Sequence, residues 1–243
     1  MGAAGPAEAE AARSDEITER VLELADEHIV WAQSLVDHGL ARSRSGASRI
    51  LTKLFDRKQL KFFARCRPLK GTKPHYGYSN AGFKIDNKEH EFLLSAIAFK
   101  FLGRVKAMRR GARVNPLTLP DLELDTETPD GEFGYDLEMD TGSMSLTKMA
   151  ARFRKLKLTD RTVLIVTTRR KTRLENLLET ARKEGREDVY ATTITRFMAD
   201  PFARIWTGLD GMNYQVNFPE TNPATIPVEN GGPLEEALPL ETA

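Results

Sequence analysis

Two runs of this chain, Leu119-Pro120-Asp121-Leu122-Glu123-Leu124-Asp125 and Tyr135-Asp136-Leu137-Glu138-Met139-Asp140, alternate carboxylates with apolar side chains. Alternation at period two marks a β-strand, in which successive side chains point to opposite faces. Asp121 and Glu123 then share one face with Glu138 and Asp140, and Leu122, Leu124, Leu137 and Met139 share the other. Asp130-Gly131 favours a two-residue type I′ turn, and that turn sets Asp121 opposite Asp140 and Glu123 opposite Glu138. Carboxylates so crowded repel unless a proton or a cation intervenes. Two readings stay open: an oxygen-only site that suits Mg²⁺ or Mn²⁺, or a solvated acidic face that guards an edge hairpin against aggregation.

Upstream of the hairpin, the spacing of apolar residues predicts a helix over Asp86–Leu102, with His90, Leu93, Leu94, Ile97 and Phe101 on one face. A strand-like stretch, Val105–Val114, precedes the hairpin. After it come a helix from Ser145 to Leu158, a buried strand Thr162–Thr168, a helix Arg173–Glu184 and a strand near Val189–Ile194. The order α-β-β-β-α-β-α-β gives a mixed α/β domain over residues 83–207. Beyond it, residues 208–243 hold five prolines, six acids and no base, the composition of an extended acidic tail.

On the other side, residues 1–13 are of low complexity and are expected to be disordered. Residues 14–82 predict three helices: one from Ser14 through Ile29, one over Val30–His38 stopped by Gly39, and one over Ser45–Leu60. A strand over Lys61–Pro68, a turn at Lys70–Pro74 and a returning strand over His75–Ser79 follow. Three helices and a hairpin are the layout of a winged helix-turn-helix, in which the third helix enters the major groove and the wing touches backbone.

A net charge of +1 conceals strong segregation. Residues 1–40 hold nine acids against Arg13 and Arg20, and residues 118–140 hold nine acids and no base. Residues 147–186 hold thirteen bases against four acids. Between residues 42 and 73 lie eleven bases against Asp56 alone: Arg42, Arg44, Arg49, Lys53, Arg57, Lys58, Lys61, Arg65, Arg67, Lys70 and Lys73. That block spans the third helix and the wing, and such a surface binds duplex DNA by releasing counterions. A solvated basic face, or a docking surface for a protein, is the competing reading.

Here the chain resembles something known. Pro120-Asp121, then Glu138-x-Asp140 on a second strand followed by a helix, is similar to the PD-(D/E)XK nuclease-like core. A closer resemblance is to the plasmid replication-relaxation family, in which a winged helix precedes a nuclease-like domain. It is carried by YSNAG at residues 78–82, the helix near His90, PDLEL, YDLEMDTGSMSLTKM, VLIVTT at residues 163–168 and DPFARIW at residues 200–206, and covers roughly residues 25–207. The resemblance implies a restriction-endonuclease-like α/β domain with a divalent metal, Mg²⁺ or Mn²⁺, held by Asp121 and Glu138 with Asp140. Where an active nuclease carries Lys, this chain has Asp140. Lys148, eight residues on, is either a displaced catalytic Lys or a phosphate contact beside Arg152 and Lys155. Glu91 is either a further metal ligand or a solvated helix residue, and His90 a supporting residue or a base. Trp31 and Trp206 read as packing residues.

Three functions follow: a bacterial DNA-binding protein of a plasmid or other mobile element, acting in replication or DNA relaxation; a metal-dependent endonuclease hydrolysing phosphodiesters; or a winged-helix scaffold without catalysis. Duplex DNA is the expected partner, with replication or mobilisation proteins beside it. Other classes are excluded. A Gly-x4-Gly-Lys-Ser/Thr loop is missing, so no nucleotide cofactor is expected, and no Ser or Cys is placed with a His and an acid as a nucleophile. The longest apolar run is Val163–Val166, far too short for a membrane span. A single cysteine, Cys66, points to a reducing, cytoplasmic setting.

Overall fold

The structure, a computed structural model, describes residues 6–66, 73–83, 85–110, 120–156, 160–216 and 218. Helix α1 spans Pro6–Glu27, so residues 6–13 are helical rather than disordered. Pro is preset for the first turn of a helix, and the Ala and Glu residues that follow are strong helix formers. Helix α2 covers Ala32–Asp37, and the chain turns at Gly39 with φ +68°. Helix α3, Arg44–Asp56, is capped by Ser43, whose hydroxyl accepts from the Gly46 amide at 3.2 Å. It stops four residues short of the expected Leu60, because Lys58 takes a left-handed φ of 59° and the chain turns there, with Leu60 buried in the core. Strands β1 (Phe62–Cys66) and β2 (His75–Tyr78) form an antiparallel hairpin, joined to the α1–α2 connection by a bridge between Val30 and Tyr78. The predicted turn at 70–74 lies mostly outside the described residues.

A short 3₁₀ turn at Ile85–Asn87 leads into helix α4, Lys88–Phe101. Strands β3 (Ala107–Arg110), β4 (Leu122–Thr128), β5 (Gly131–Asp140), β6 (Thr162–Thr167), β7 (Val189–Thr193), β8 (Trp206–Thr207) and β9 (Asn213–Tyr214) lie side by side in that order in one mixed sheet. Pairing is parallel for β5–β6 and β6–β7 and antiparallel elsewhere. Helices α5 (Leu146–Leu156) and α6 (Lys171–Lys183) cover one face, and α4 with α7 (Ile194–Ala199) covers the other. Among the described residues this is a mixed α+β fold of seven helices with a seven-stranded sheet. No helix there is long and apolar enough to cross a membrane.

Three expectations need correction. In the β4–β5 hairpin Thr128 pairs with Gly131 and Leu122 with Leu137, so Glu123 faces Asp136 and Asp121 does not face Asp140. The loop residues are Pro129 and Asp130: Pro cannot take the positive φ of a type I′ turn but suits the second position of ordinary turns, and Gly131 supplies the positive φ, +128°. The slip is by two residues, so the division of faces survives it. The expected tail from residue 208 begins later, since β9 extends the sheet and Phe218 packs on Phe101 and Tyr135 at 5.0 and 5.2 Å. Finally, the boundary at residue 82 does not divide two cores. Helix α4 gives Phe92, Ala96 and Phe99 to the core of α1–α3 and Leu93, Leu94, Ile97 and Phe101 to the sheet. Trp31 stacks 4.7 Å from Phe92 and 5.3 Å from Phe99, so the N-terminal unit is incomplete without α4.

Candidate functional site

Strand β5 has two buried faces. Tyr135, Leu137 and Met139 pack under α4, and the alternate residues Asp136, Glu138 and Asp140 point toward α5 and α6 and are buried as well. Burying three carboxylates costs several kcal/mol each unless counter-charges and hydrogen bonds compensate, and here the counter-charges are arginines. Arg173 of α6 grips Asp140 with both sides of its guanidinium, Nε to Oδ2 at 3.0 Å and Nη2 to Oδ1 at 2.9 Å. Thr167 and the Gly142 amide also donate to Asp140, and together these donors outweigh burial and hold its carboxyl below the usual range. Arg161 lies across the hairpin, giving hydrogen bonds to Asp136, to Asp125 and to the carbonyls of Leu124 and Tyr135. Arg109 of β3 binds Glu123 and Asp125.

A cleft of about 490 Å³ opens where β5 meets the start of α4 and the turn into α5; Asp121, Glu138, Asp140, His90 and Arg152 line its floor. Arg152 of α5 sets Nε 2.7 Å from Glu138 Oε2 and Nη2 3.5 Å from Asp121 Oδ1. Asp121 accepts the Met139 amide at 2.7 Å, and His90 Nε2 lies 3.3 Å from the same oxygen. Burial pushes Asp121 up, but His90, the Arg152 charge and the Met139 amide outweigh it and keep the carboxyl ionised. Burial lowers His90, yet its contacts with Asp121 and Glu91 raise it to about 10, so it is an imidazolium and no base at neutral pH. Glu138 moves the other way: burial and the neighbouring Asp121 charge push it well above the carboxylate range, against the pull of Arg152. Its Oε1 is buried without a hydrogen-bond partner.

The residues present do not fit a divalent metal. Both oxygens of Asp140 are taken by Arg173, Thr167 and Gly142; Asp121 is shared among His90, Met139 and Arg152; only Glu138 Oε1 is open. Among the described residues no group of three or more His, Cys, Asp or Glu is arranged to hold a metal ion. Glu91 does not line the cleft and accepts from Arg110 at 2.6 Å. Lys148 is exposed on α5 and does not line the cleft; one helical turn further on, Arg152 is the cation at the acids. Arg152, Arg161 and Arg173 are the residues that reading by spacing missed. The signal was available: an all-acid segment, 118–140, precedes a basic one, 147–186, and opposite blocks on neighbouring elements are partners for each other.

The basic block of residues 42–73 behaves differently. Arg42, Arg44, Arg49, Lys53, Arg57, Lys58, Lys61, Arg65 and Lys73 are all exposed, and none makes an ion pair among the described residues. Arg67 and Lys70 lie outside the described residues. On α3 and its C-cap, Arg49, Lys53 and Arg57 recur every four residues and stay exposed, away from the buried stripe of Ala47, Leu51 and Leu54. Trp31 and Trp206 are both buried, and Trp206 Nε1 donates to the Pro201 carbonyl at 3.0 Å, so neither is a surface platform. In comparisons with known proteins, no family model, no curated protein and no solved structure matches this chain.

Proposed function

We propose that this chain is a DNA-binding protein of a plasmid or other mobile element, acting in replication or DNA relaxation. In this reading α1–α3 with the β1–β2 hairpin is a winged helix, α3 enters the major groove, and the sheet is a nuclease-like core without catalysis. One observation carries the binding: nine exposed cations on α3, the hairpin and the turns beside them make no ion pair among the described residues, whereas the buried acids of the sheet have arginines. Like charges left facing one another cost stability, and a polyanion relieves that cost as it sheds its counterions. The biological setting rests on the resemblance to the replication-relaxation family. Hydrolysis is not part of the proposal, because guanidinium groups sit on the oxygens that a metal would need.

The test is binding of the full chain to duplex DNA over a salt series. Affinity should fall steeply, with a log–log slope of about −0.9 for each phosphate contacted. The triple variant Arg49→Glu, Lys53→Glu, Arg57→Glu should abolish binding while leaving the circular dichroism spectrum unchanged. Affinity indifferent to those reversals, or to salt, would refute the proposal.

A further inference from the structure

The two faces of the β1–β2 hairpin have different fates. Its inner face is sealed: Ala64, Cys66 and Gly77 are buried, and Gly77 lies so close to Ile29 that a Cβ would sit 2.6 Å from the Ile29 Cγ2. Its outer face carries Phe62, Arg65, Tyr76 and Tyr78, brought side by side by the pairs Phe62–Tyr78 and Arg65–Tyr76. Phe62 stays 47% exposed and Tyr76 56%, and Phe55 at the end of α3 is 44% exposed. These are three of the six large apolar side chains left in solvent among the described residues. They form one patch. Phe62 lies 6.3 Å from Tyr76 and 5.9 Å from Tyr78, which lies 5.9 Å from Phe55. The Arg65 guanidinium sits 5.7 Å from the centre of the Tyr76 ring.

We infer that this face is a stacking platform for unpaired nucleotides, so that the protein grips DNA where a strand is open. The inference rests on the nucleic-acid reading above and adds the state of the DNA. Cross-strand aromatic pairs do stabilise hairpins, but that role does not require about half of the Phe62 and Tyr76 surface to stay in solvent. Bare rings in a cationic surround suit one class of ligand: a polyanion whose units have π-faces. Arg65 sits at the Tyr76 ring, Lys61 precedes Phe62 and Arg57 and Lys58 follow Phe55 by two and three residues; all four are exposed without an ion pair among the described residues and supply the attraction for backbone phosphate. A fully paired duplex buries its base faces in its own stack and leaves the rings unused. An open strand presents those faces, and aromatic residues beside basic ones are the arrangement that binds it with little sequence preference. A protein partner would need an acidic surface of matching shape, and a second copy docking through this same face would bring like charge against like.

The experiment compares three probes against the full chain at one salt concentration: a paired duplex, the same duplex with a central bubble of unpaired bases, and oligothymidylate. The bubble should bind about tenfold tighter than the duplex for each base stacked. The double variant Phe62→Leu, Tyr76→Leu keeps the apolar bulk and removes the rings; it should erase that advantage and leave duplex affinity within about twofold. Phe62→Trp serves as a reporter that does not depend on the double variant folding, since Trp31 and Trp206 are buried; its emission should be quenched by the bubble and by oligothymidylate, not by the duplex. Equal affinity for bubble and duplex, or an equal loss on both in the double variant, overturns the platform. So does a change of oligomeric state with no change in binding, which would make the patch an interface between copies. Salt-dependent duplex binding without bubble preference sinks this inference and leaves the proposed function standing. Binding of open strands alone does the reverse, and binding of neither sinks both.

Discussion

Arg152 bridges Asp121 and Glu138, 2.7 Å from the glutamate and 3.5 Å from the aspartate. The bridge recurs along the strand. Arg161 serves Asp125 and Asp136, and Arg173 serves Asp140. The acidic segment 118–140 and the basic segment 147–186 are therefore internal complements, folded against each other across the β5–α5–β6–α6 turn of chain. The exposed cations on α3, the hairpin and the turns beside them make no ion pair among the described residues.

The first prediction concerns that bridge. Arg152→Met leaves Asp121 and Glu138 crowded in a buried site with no guanidinium, and should cost about 3–5 kcal/mol at neutral pH. Adding Glu138→Gln removes the raised carboxyl whose ionised form crowds Asp121 and should restore part of the loss. Lys148→Ala, on an exposed position of the same helix, should stay within about 0.5 kcal/mol. Urea denaturation of the four proteins checks this; a larger loss for Lys148→Ala than for Arg152→Met would reverse the assignment.

The second prediction concerns how tightly the hairpin is seated. Gly77→Ala places a methyl against Ile29 Cγ2 at 2.6 Å and Phe92 Cε2 at 3.3 Å, in a core with Ile29 fully buried. Overpacking of this kind should destabilise by about 1–3 kcal/mol. Gly82→Ala has open space around its Cβ and is the control. Thermal melts that fail to separate the two would show that the hairpin is held less closely than its contacts indicate.

The element order of the sheet domain was legible because strands and helices there differ in period, and because β6, Thr162–Thr167, is a continuous β-branched and apolar run. The hairpin at 122–140 was legible as a hairpin and misread in register: Asp130-Gly131 looked like the turn, but Pro129 settles which residues form it. Helix α7 and strands β8 and β9 are short, and their pairing depends on Trp206 and Tyr214 finding the far edge of the sheet, which no local pattern encodes. The candidate site was legible as a set of acids and not as a set of ion pairs. Periodicity assigns a residue to a face of its own element; it does not say which face of another element arrives opposite, and so it does not tell that Arg152, one turn after Lys148, is the cation that reaches the acids.

The last prediction turns on His28, at the end of α1. Burial, with the charges of Arg110 and His38 behind it, lowers its pKa to about 3, and its Nδ1 is buried with no hydrogen-bond partner beside the Phe99 ring at 5.5 Å. The unfolded chain takes up a proton at this site near pH 6.5, while the folded chain refuses it until about pH 3. Stability is therefore complete above pH 6.5 and is lost as the pH falls through that window, by about 1.4 kcal/mol for each pH unit from this residue. His38 and His75 are lowered too and push the same way. His90, raised to about 10, adds no slope below pH 6.5, and the depressed carboxylates Asp121 and Asp140 act only under more acidic conditions, near and below the ordinary carboxylate range. His28→Leu removes both the titration and the orphaned nitrogen. Relative to the natural chain it should gain about 2 kcal/mol between about pH 7 and about pH 5, measured by urea denaturation at each pH. Parallel pH profiles for the two proteins would mean that His28 reaches a proton or a partner in the folded state.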